Sequence, residues 1–384
     1  MHLCESYSLQ AGQYISKPFI AEEFFPLPVE KYITIHPQTK PSKTYDHWNE
    51  VIDILEPILK ANNLTLVQIG AKGDTILPRC YHVQGETTLN QCAYLVKNAV
   101  LHLSADTFSA HLAGHYNIPL VALYSNNYVH NVRPYFGDKS KQILLEPDRT
   151  NSKPSFAYEE NPKTINTIKP ELIAASVCKL LDIPFNFEYQ TLSFGRSYGG
   201  LLVEIVPNAP IDVKSMNLNN AIMRMDLVFN EQTLIQQMSN SKVIIYTNKP
   251  ISKDIITKFR TQIDEVIYIV DDVQDTEFIE FLRDNIVRYG LISFCKDEDK
   301  MNDLKLKYMD LGLIHKQEPQ VVESKDNLYY KTTRFLFNGQ KVYPCTAAFL
   351  ADKPIPSLQS EICPIIDNEE FWKESGYFAF LKKA

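Results

Sequence analysis

The chain of 384 residues reads as an α/β protein made of two Rossmann-like domains, and three observations predict this. Short β-rich runs alternate with helical patterns from residue 31 to residue 185, the order expected of βα units around a parallel sheet. The same alternation returns from 221 to about 320. The length also exceeds one ordinary domain and favours two domains with connecting segments. The expected division is a lead at 1–30, a Rossmann-like domain at 31–190, a linker at 191–220, a second α/β domain at 221–320 and an aromatic-rich C-terminal extension at 321–384.

In order along the chain, "YITIHP" (32–37) is a strand stopped by Pro37. "DHWNEVIDILEPILKANN" (46–63) carries apolar residues at helical spacing, with Asp46 as the expected cap and Asn62-Asn63 as the stop. "LTLVQIG" (64–70) is the next strand, closed by Gly70, and "TTLNQCAYLVKNA" (87–99) is a helix opened by a threonine cap. "VLHLSA" (100–105), "FSAHLAGHYN" (108–117) and "PLVALYS" (119–125) form a strand, a short helix and a strand. "LIAASVCKLLD" (172–182) closes the first domain, and the glycines of "SFGRSYGG" (193–200) read as a hinge. Beyond it, "AIMRMDLVF", "KVIIYT", "EVIYIV" and "GLISFC" are strands separated by helical patterns. Asn338-Gly339 marks a hairpin turn in the tail.

Composition narrows the function classes. Apolar residues make up 45% and charged residues 22%, and no run of about 18 uncharged apolar residues is present to cross a membrane. The first residues lack a basic segment followed by an apolar one, so export is not expected and a cytoplasmic setting is. Seven cysteines without a CxxC pair argue against a thiol zinc site and a disulfide framework. A net charge of −7, spread along the chain, lacks the footprint of a general nucleic-acid binder.

Ligands of a doubly wound sheet bind beyond the carboxyl ends of its strands. "SADTFSAHLAG" (104–114) falls at such an end: Asp106, Thr107, Phe108 and Ser109 make the turn and first helical turn, whose free N–H groups suit an anion. Thr107 and His111, four apart, share a helix face, so a phosphate with an attached sugar can meet both. The simpler reading is that Asp106 or Thr107 caps the helix while His111 packs on the sheet. Three further strand ends carry polar loops: "HPQTKPSKTYDHW" (36–48), with Thr39, Ser42 and Lys43; "IGAKGD" (69–74), with Asp74; and "VQGETTL" (83–89), with Gly85.

Together, in this order, these motifs over about residues 31–150 resemble the C-terminal, donor-binding half of the heptosyltransferase-like glycosyltransferases of family 9, which have the GT-B fold. His36, Pro37, Thr39, Lys43 and Trp48 match the family's His-Pro-Gly strand end, its hydroxyl-lysine loop and the helix that follows. "VQIGAKGD", "GETTL" and "DTFSAHLA" are similar to its Gly-Gly, loop and Asp-Ser/Thr-Gly-x-x-His-Leu-Ala signatures. The resemblance implies that Asp106, Thr107, Ser109 and His111 line the donor diphosphate and sugar, with Thr39 and Lys43 facing the phosphates. It implies a nucleotide-diphosphate sugar as donor substrate, no metal and no other cofactor.

The chain departs from the family's pattern in three ways. Gln38 and Phe108 stand where the family has glycines, which let a backbone approach a phosphate; packing of Phe108 on the sheet is expected ahead of stacking on a base or sugar. "HLCESYSLQAG" resembles the segment that joins the family's two halves, so the acceptor-binding half is not recognisable in its usual order. Either that half is absent, or the second α/β region rebuilds the other wall of a GT-B-like cleft in permuted order.

That second region offers strand-end groups: Glu204, Arg224 and Asp226, then Thr247, Asn248 and Lys249, then Asp271 and Asp272. Asp226 is the candidate for the base that deprotonates an acceptor hydroxyl, while the plainer role for each acid is a helix cap or a solvated surface. The expected function is transfer of a sugar from a nucleotide-diphosphate sugar to an unidentified acceptor hydroxyl. The competing readings are a non-catalytic nucleotide-sugar-binding or assembly module, partnered by a separate catalytic subunit or by further copies of itself, and a glycosyltransferase acting on nucleic acid.

Overall fold

The computed structural model describes residues 1–150, 152–212, 221–271, 276–308, 313–315, 327–358 and 361–384. Met1–Thr191 with Ala384 form one compact unit, and Leu192–Lys383 form the other.

In the first unit, helix α1 (Leu3–Ala11) precedes strand β1 (Tyr32–His36), helix α2 (Trp48–Ala61), strands β2 (Thr65–Gln68) and β3 (Tyr81–His82) and helix α3 (Leu89–Asn98). Strand β4 (Leu101–Ala105), helix α4 (Phe108–Tyr116), strand β5 (Leu120–Leu123), helix α5 (Val129–Val132), strand β6 (Gln142–Leu145) and helix α6 (Pro170–Leu180) follow. The sheet is parallel, in the order β3-β2-β1-β4-β5-β6. Chain connections therefore leave β1 and β4 towards opposite edges, and the switch point lies between these two strands.

Both central strands are buried along their whole length, as parallel strands covered by helices on two faces must be. Ile33, Ile35, Leu101 and Leu103 pack with Trp48, Val51 and Leu55 of α2 and Val177 of α6. On the other face, Tyr32, Val67 and Leu120 pack with Leu95 of α3 and Ala110 and Ala113 of α4. Helix α2 begins at Trp48 without a side-chain cap. Asp46, expected to cap it, instead accepts hydrogen bonds from Lys163 (2.5 Å) and Asn166 (2.7 Å), because it sits two residues before the first helical turn. Helix α3 has a full capping box, Thr88 with Gln91. Thr88→Ala is expected to cost about 1 kcal/mol, read as a lower urea midpoint at constant slope.

The second unit runs through strands β7 (Tyr189–Phe194), β8 (Leu202–Ile205) and β9 (Ala221–Arg224), helix α7 (Glu231–Asn240), strand β10 (Val243–Thr247), helix α8 (Lys253–Lys258) and strand β11 (Ile263–Val270). Helix α9 (Glu277–Asp284), strand β12 (Tyr289–Ser293), helix α10 (Glu298–Lys307) and strands β13 (Leu313–His315), β14 (Leu328–Thr332), β15 (Arg334–Asn338) and β16 (Lys341–Tyr343) come next. Helix α11 (Thr346–Leu350), strand β17 (Cys363–Pro364), helix α12 (Glu369–Lys373) and strand β18 (Phe378–Lys383) complete it. One sheet has the order β13-β12-β11-β10-β9-β8-β15-β16, parallel up to β15, and a second has the order β17-β14-β18-β7.

Two expectations are corrected here. The tail from 321 is no appendage, since β15 pairs in parallel with β8, itself inside the expected linker. The reason is burial: Val203, Ile205, Phe335 and Leu336 are covered and need a sheet interior. "SFGRSYGG" is not a free hinge either. Gly195 and Ser197 donate backbone hydrogen bonds to Phe378 and Gly376 (both 2.8 Å), and a Cβ on Gly195 would lie 2.4 Å from the Gly376 carbonyl oxygen. Asn338 pairs with Lys341, and Gly339 supplies the positive φ of that hairpin turn. All seven cysteines are free thiols, and among the described residues no helix is long and apolar enough to cross a membrane.

Candidate functional site

The polar residues of β1 and β4 alternate with apolar ones and so share the face beneath α4. Thr34 Oγ1 lies 2.8 Å from His102 Nδ1, and Ser109 Oγ lies 2.9 Å from both His102 Nε2 and His36 Nδ1. Thr107 Oγ1 closes the chain, 3.1 Å from His36 Nδ1 and 2.8 Å from Ser109 Oγ, while accepting the Ser109 N–H. Burial drives the His36 pKa down to about 4 and that of His102 to about 3, so both rings are neutral and fit a network of alternating donors and acceptors. This network fixes the first turn of α4 on the sheet.

At the same switch point, the loop after β1 delivers Lys43, whose ammonium donates to Asp106 at the end of β4. The loop itself is held shut. Ser42 N–H donates to the Tyr158 carbonyl (3.1 Å), Ser42 Oγ to that of Ala157 (2.8 Å), and Ser125 Oγ donates to the Ser42 carbonyl (2.9 Å). Thr39 is stapled to Thr44 through its own N–H and carbonyl. Gln38 accepts the Thr75 N–H (2.8 Å), which ties the first loop to the loop containing Asp74. Gly85, at φ +76°, brings its backbone against Lys72, where a Cβ would lie 2.8 Å from the Lys72 Cα.

The structure thus brings Lys43, Asp106 and Thr107 together, with Thr39 on the same loop and His111 exposed one turn along α4. Desolvation by its neighbours lowers the His111 pKa, against the opposing pull of Asp106. Two expectations change. Ser109 is fully buried and its hydroxyl is taken up by two imidazoles, so it shapes the turn and does not line a ligand. Phe108 is not packed on the sheet: 44% of it is exposed, and its ring meets His36 edge-on at 5.5 Å, because the first position of α4 points away from the core. His102 and Thr34 are missing from the sequence candidates, although polar residues at every second place in two otherwise apolar strands are a visible signal.

The second unit's candidates belong to a buried ion network. Arg224 at the end of β9 donates through Nε and an Nη atom to both oxygens of Asp226 (2.8 Å each) and through its other Nη to Glu204 (2.6 Å). Arg334 also donates to Glu204, and Glu374 accepts from the N–H (2.8 Å) and hydroxyl (2.5 Å) of Thr346. Burial would raise the Glu204 pKa, but the two guanidiniums outweigh it and hold the carboxyl below its ordinary range. Asp226, the expected base, is therefore corrected to a clamp on Arg224: both of its oxygens are occupied. Thr247 and the backbone of Lys249 bond to each other in a local turn, Asp271 is exposed, and Asp272 lies outside the described residues. Arg334, Glu374 and Thr346 escape sequence reasoning because each stands 130 residues or more from Glu204 along the chain. Among the described residues, no group of three or more His, Cys, Asp or Glu is arranged to hold a metal ion.

Residues 7–164 match the model of glycosyltransferase family 9 (heptosyltransferase). Among curated proteins none is similar enough to count as a match. Among solved structures, the chain is similar to E. coli ADP-heptose lps heptosyltransferase II, at 18% identity over 46% of this chain and 50% of that one, with a TM-score of 0.33. It is also similar to a family 9 glycosyl transferase from Veillonella parvula (16%, 46% and 50%, 0.32) and to E. coli heptosyltransferase WaaC with ADP (16%, 46% and 54%, 0.31). The chain spans about half the length of these structures. The resemblance to glycosyltransferase family 9 that the motifs carry is thus shown over residues 7–164, the stretch that holds Lys43, Asp106 and the whole histidine network.

Proposed function

We propose that this protein is a glycosyltransferase that takes a nucleotide-diphosphate sugar as donor by a metal-independent, GT-B-type displacement. One observation carries the reading: a lysine and a capped helix N-terminus converge at the switch point between β1 and β4, the position where doubly wound sheets bind phosphorylated ligands. An acceptor oxygen bonds to the anomeric carbon as the bond from that carbon to the diphosphate oxygen breaks. Lys43 and the N–H groups of α4 stabilise the charge left on the diphosphate. Lys43 is released from Asp106 when the donor arrives, and His111 orients a phosphate or sugar hydroxyl. The acceptor's proton goes to a base for which Asp226 is no longer a candidate.

The test is calorimetric titration with ADP-, UDP- and GDP-sugars, followed by transfer assays. Lys43→Met is expected to weaken donor binding about 10- to 100-fold, the loss of one charge-assisted hydrogen bond, with Asp106→Ala and His111→Ala weaker than wild type. If wild type binds no nucleotide sugar, the donor site is wrongly assigned. The exposed Phe108 favours a second reading, a module that binds the donor without transferring it, because the ring stands at the mouth of the helix N-terminus. In the same titration, Phe108→Gly then tightens binding several-fold.

A further inference from the structure

A pocket of about 290 Å³ lies wholly within the second unit. It sits where a parallel sheet places ligands: Arg224 and Tyr246 are at the carboxyl ends of β9 and β10, Ile269 is near that of β11, and Phe294 follows β12. Thr346 and Leu350 of α11 and Lys373 of α12 form the opposite side.

We propose that this pocket binds one neutral, polyhydroxylated ring, a monosaccharide unit. Two properties select that chemistry. First, the charges on the wall cancel: Arg224, Arg334 and Lys373 are matched by Asp226, Glu370 and Glu374, so neither an anion nor a cation is favoured. Second, the walls are unlike. Phe294, Ile269 and Leu350 offer an apolar shelf for the C–H face of a sugar, while Lys373 and Glu370, both partly exposed, offer polar groups for its hydroxyls. The network of Glu204, Arg224 and Asp226 fixes the Arg224 side of the pocket, and Lys373 donates to Glu370 (2.7 Å), before any ligand arrives.

This site is independent of the donor reading, and its test separates the two. Saturation-transfer NMR on the full chain uses methyl α-glucoside, methyl α-galactoside, methyl α-mannoside and N-acetylglucosamine, with citrate and inorganic phosphate as the anionic arm. At least one sugar is expected to give ring-proton transfer, and the anions none. Leu350→Trp plugs the mouth from an exposed position, so it abolishes the sugar signal while leaving the thermal midpoint unchanged. Phe294→Ala removes the shelf and weakens binding about tenfold. Lys43→Met, in the other unit, leaves sugar binding as in wild type even if the donor reading fails. Silence of the whole panel, binding of the anions alone, or a signal that survives Leu350→Trp overturns the proposal.

Discussion

Replacing Glu204 by alanine is expected to destabilise the second unit by about 3–5 kcal/mol. The carboxylate is 2% exposed and is the shared partner of Arg224 and Arg334, both also buried. Its removal leaves Arg224 with Asp226 and Glu374 (3.6 Å) and Arg334 with Glu374 alone, 3.9 Å away. The cost lies in the unpaired charges that remain more than in the hydrogen bonds removed, which sets up a second measurement. A double replacement of Glu204 and Arg334 by methionine is expected to cost less than Glu204→Ala combined with Arg334→Ala would by simple addition. Urea unfolding followed by a probe in the second unit checks both. Lys242→Ala, which removes an exposed pair with Asp264 in the same unit, is the comparison and stays within about 1 kcal/mol. A loss for Glu204→Ala no larger than that would mean the network is not what holds β8, β9 and β15 together.

The first unit is expected to lose stability as pH falls from neutral, before the carboxylates titrate. Burial holds His36 and His47 neutral down to about pH 4 and His102 down to about pH 3, whereas in the unfolded chain an imidazole charges near 6.5. Between those limits the unfolded state binds more protons, so stability is fully present above about pH 6.5 and declines as pH drops through the folded values. At pH 5 each ring accounts for roughly 2 kcal/mol of the decline. Guanidinium unfolding at several pH values from 7.5 to 5 measures it. His36→Asn with His102→Gln should flatten the slope against pH whatever it does to absolute stability. A flat profile for wild type over this range would sink the argument.

Much of the first unit was legible because its information is local. The strand and helix patterns from Tyr32 to Leu123 follow from period-two and period-3.6 burial, and the cap at Thr107 follows from a hydroxyl just before an apolar helix. The meeting of Lys43 with Asp106 was also within reach, because the strand order of a doubly wound sheet places both loops at one edge. The second unit was less legible. A strand as short as Leu202–Ile205 between glycines and prolines looks like a linker until its partner is known, and that partner, Arg334–Asn338, lies beyond several intervening elements.

What the sequence determined by itself was therefore the α/β class, the order of the elements in the first unit and the polar turn at residues 104–111, all set by neighbours within a few positions of one another. Only the tertiary structure decided that Ser109 is spent on two buried imidazoles, that Phe108 faces solvent and that Asp226 grips Arg224 in place of serving as a base. The physical reason is common to all three. A polar side chain's role is set by whether its hydrogen-bonding capacity is already taken, and the groups that take it arrive from distant strands whose pairing no local pattern records.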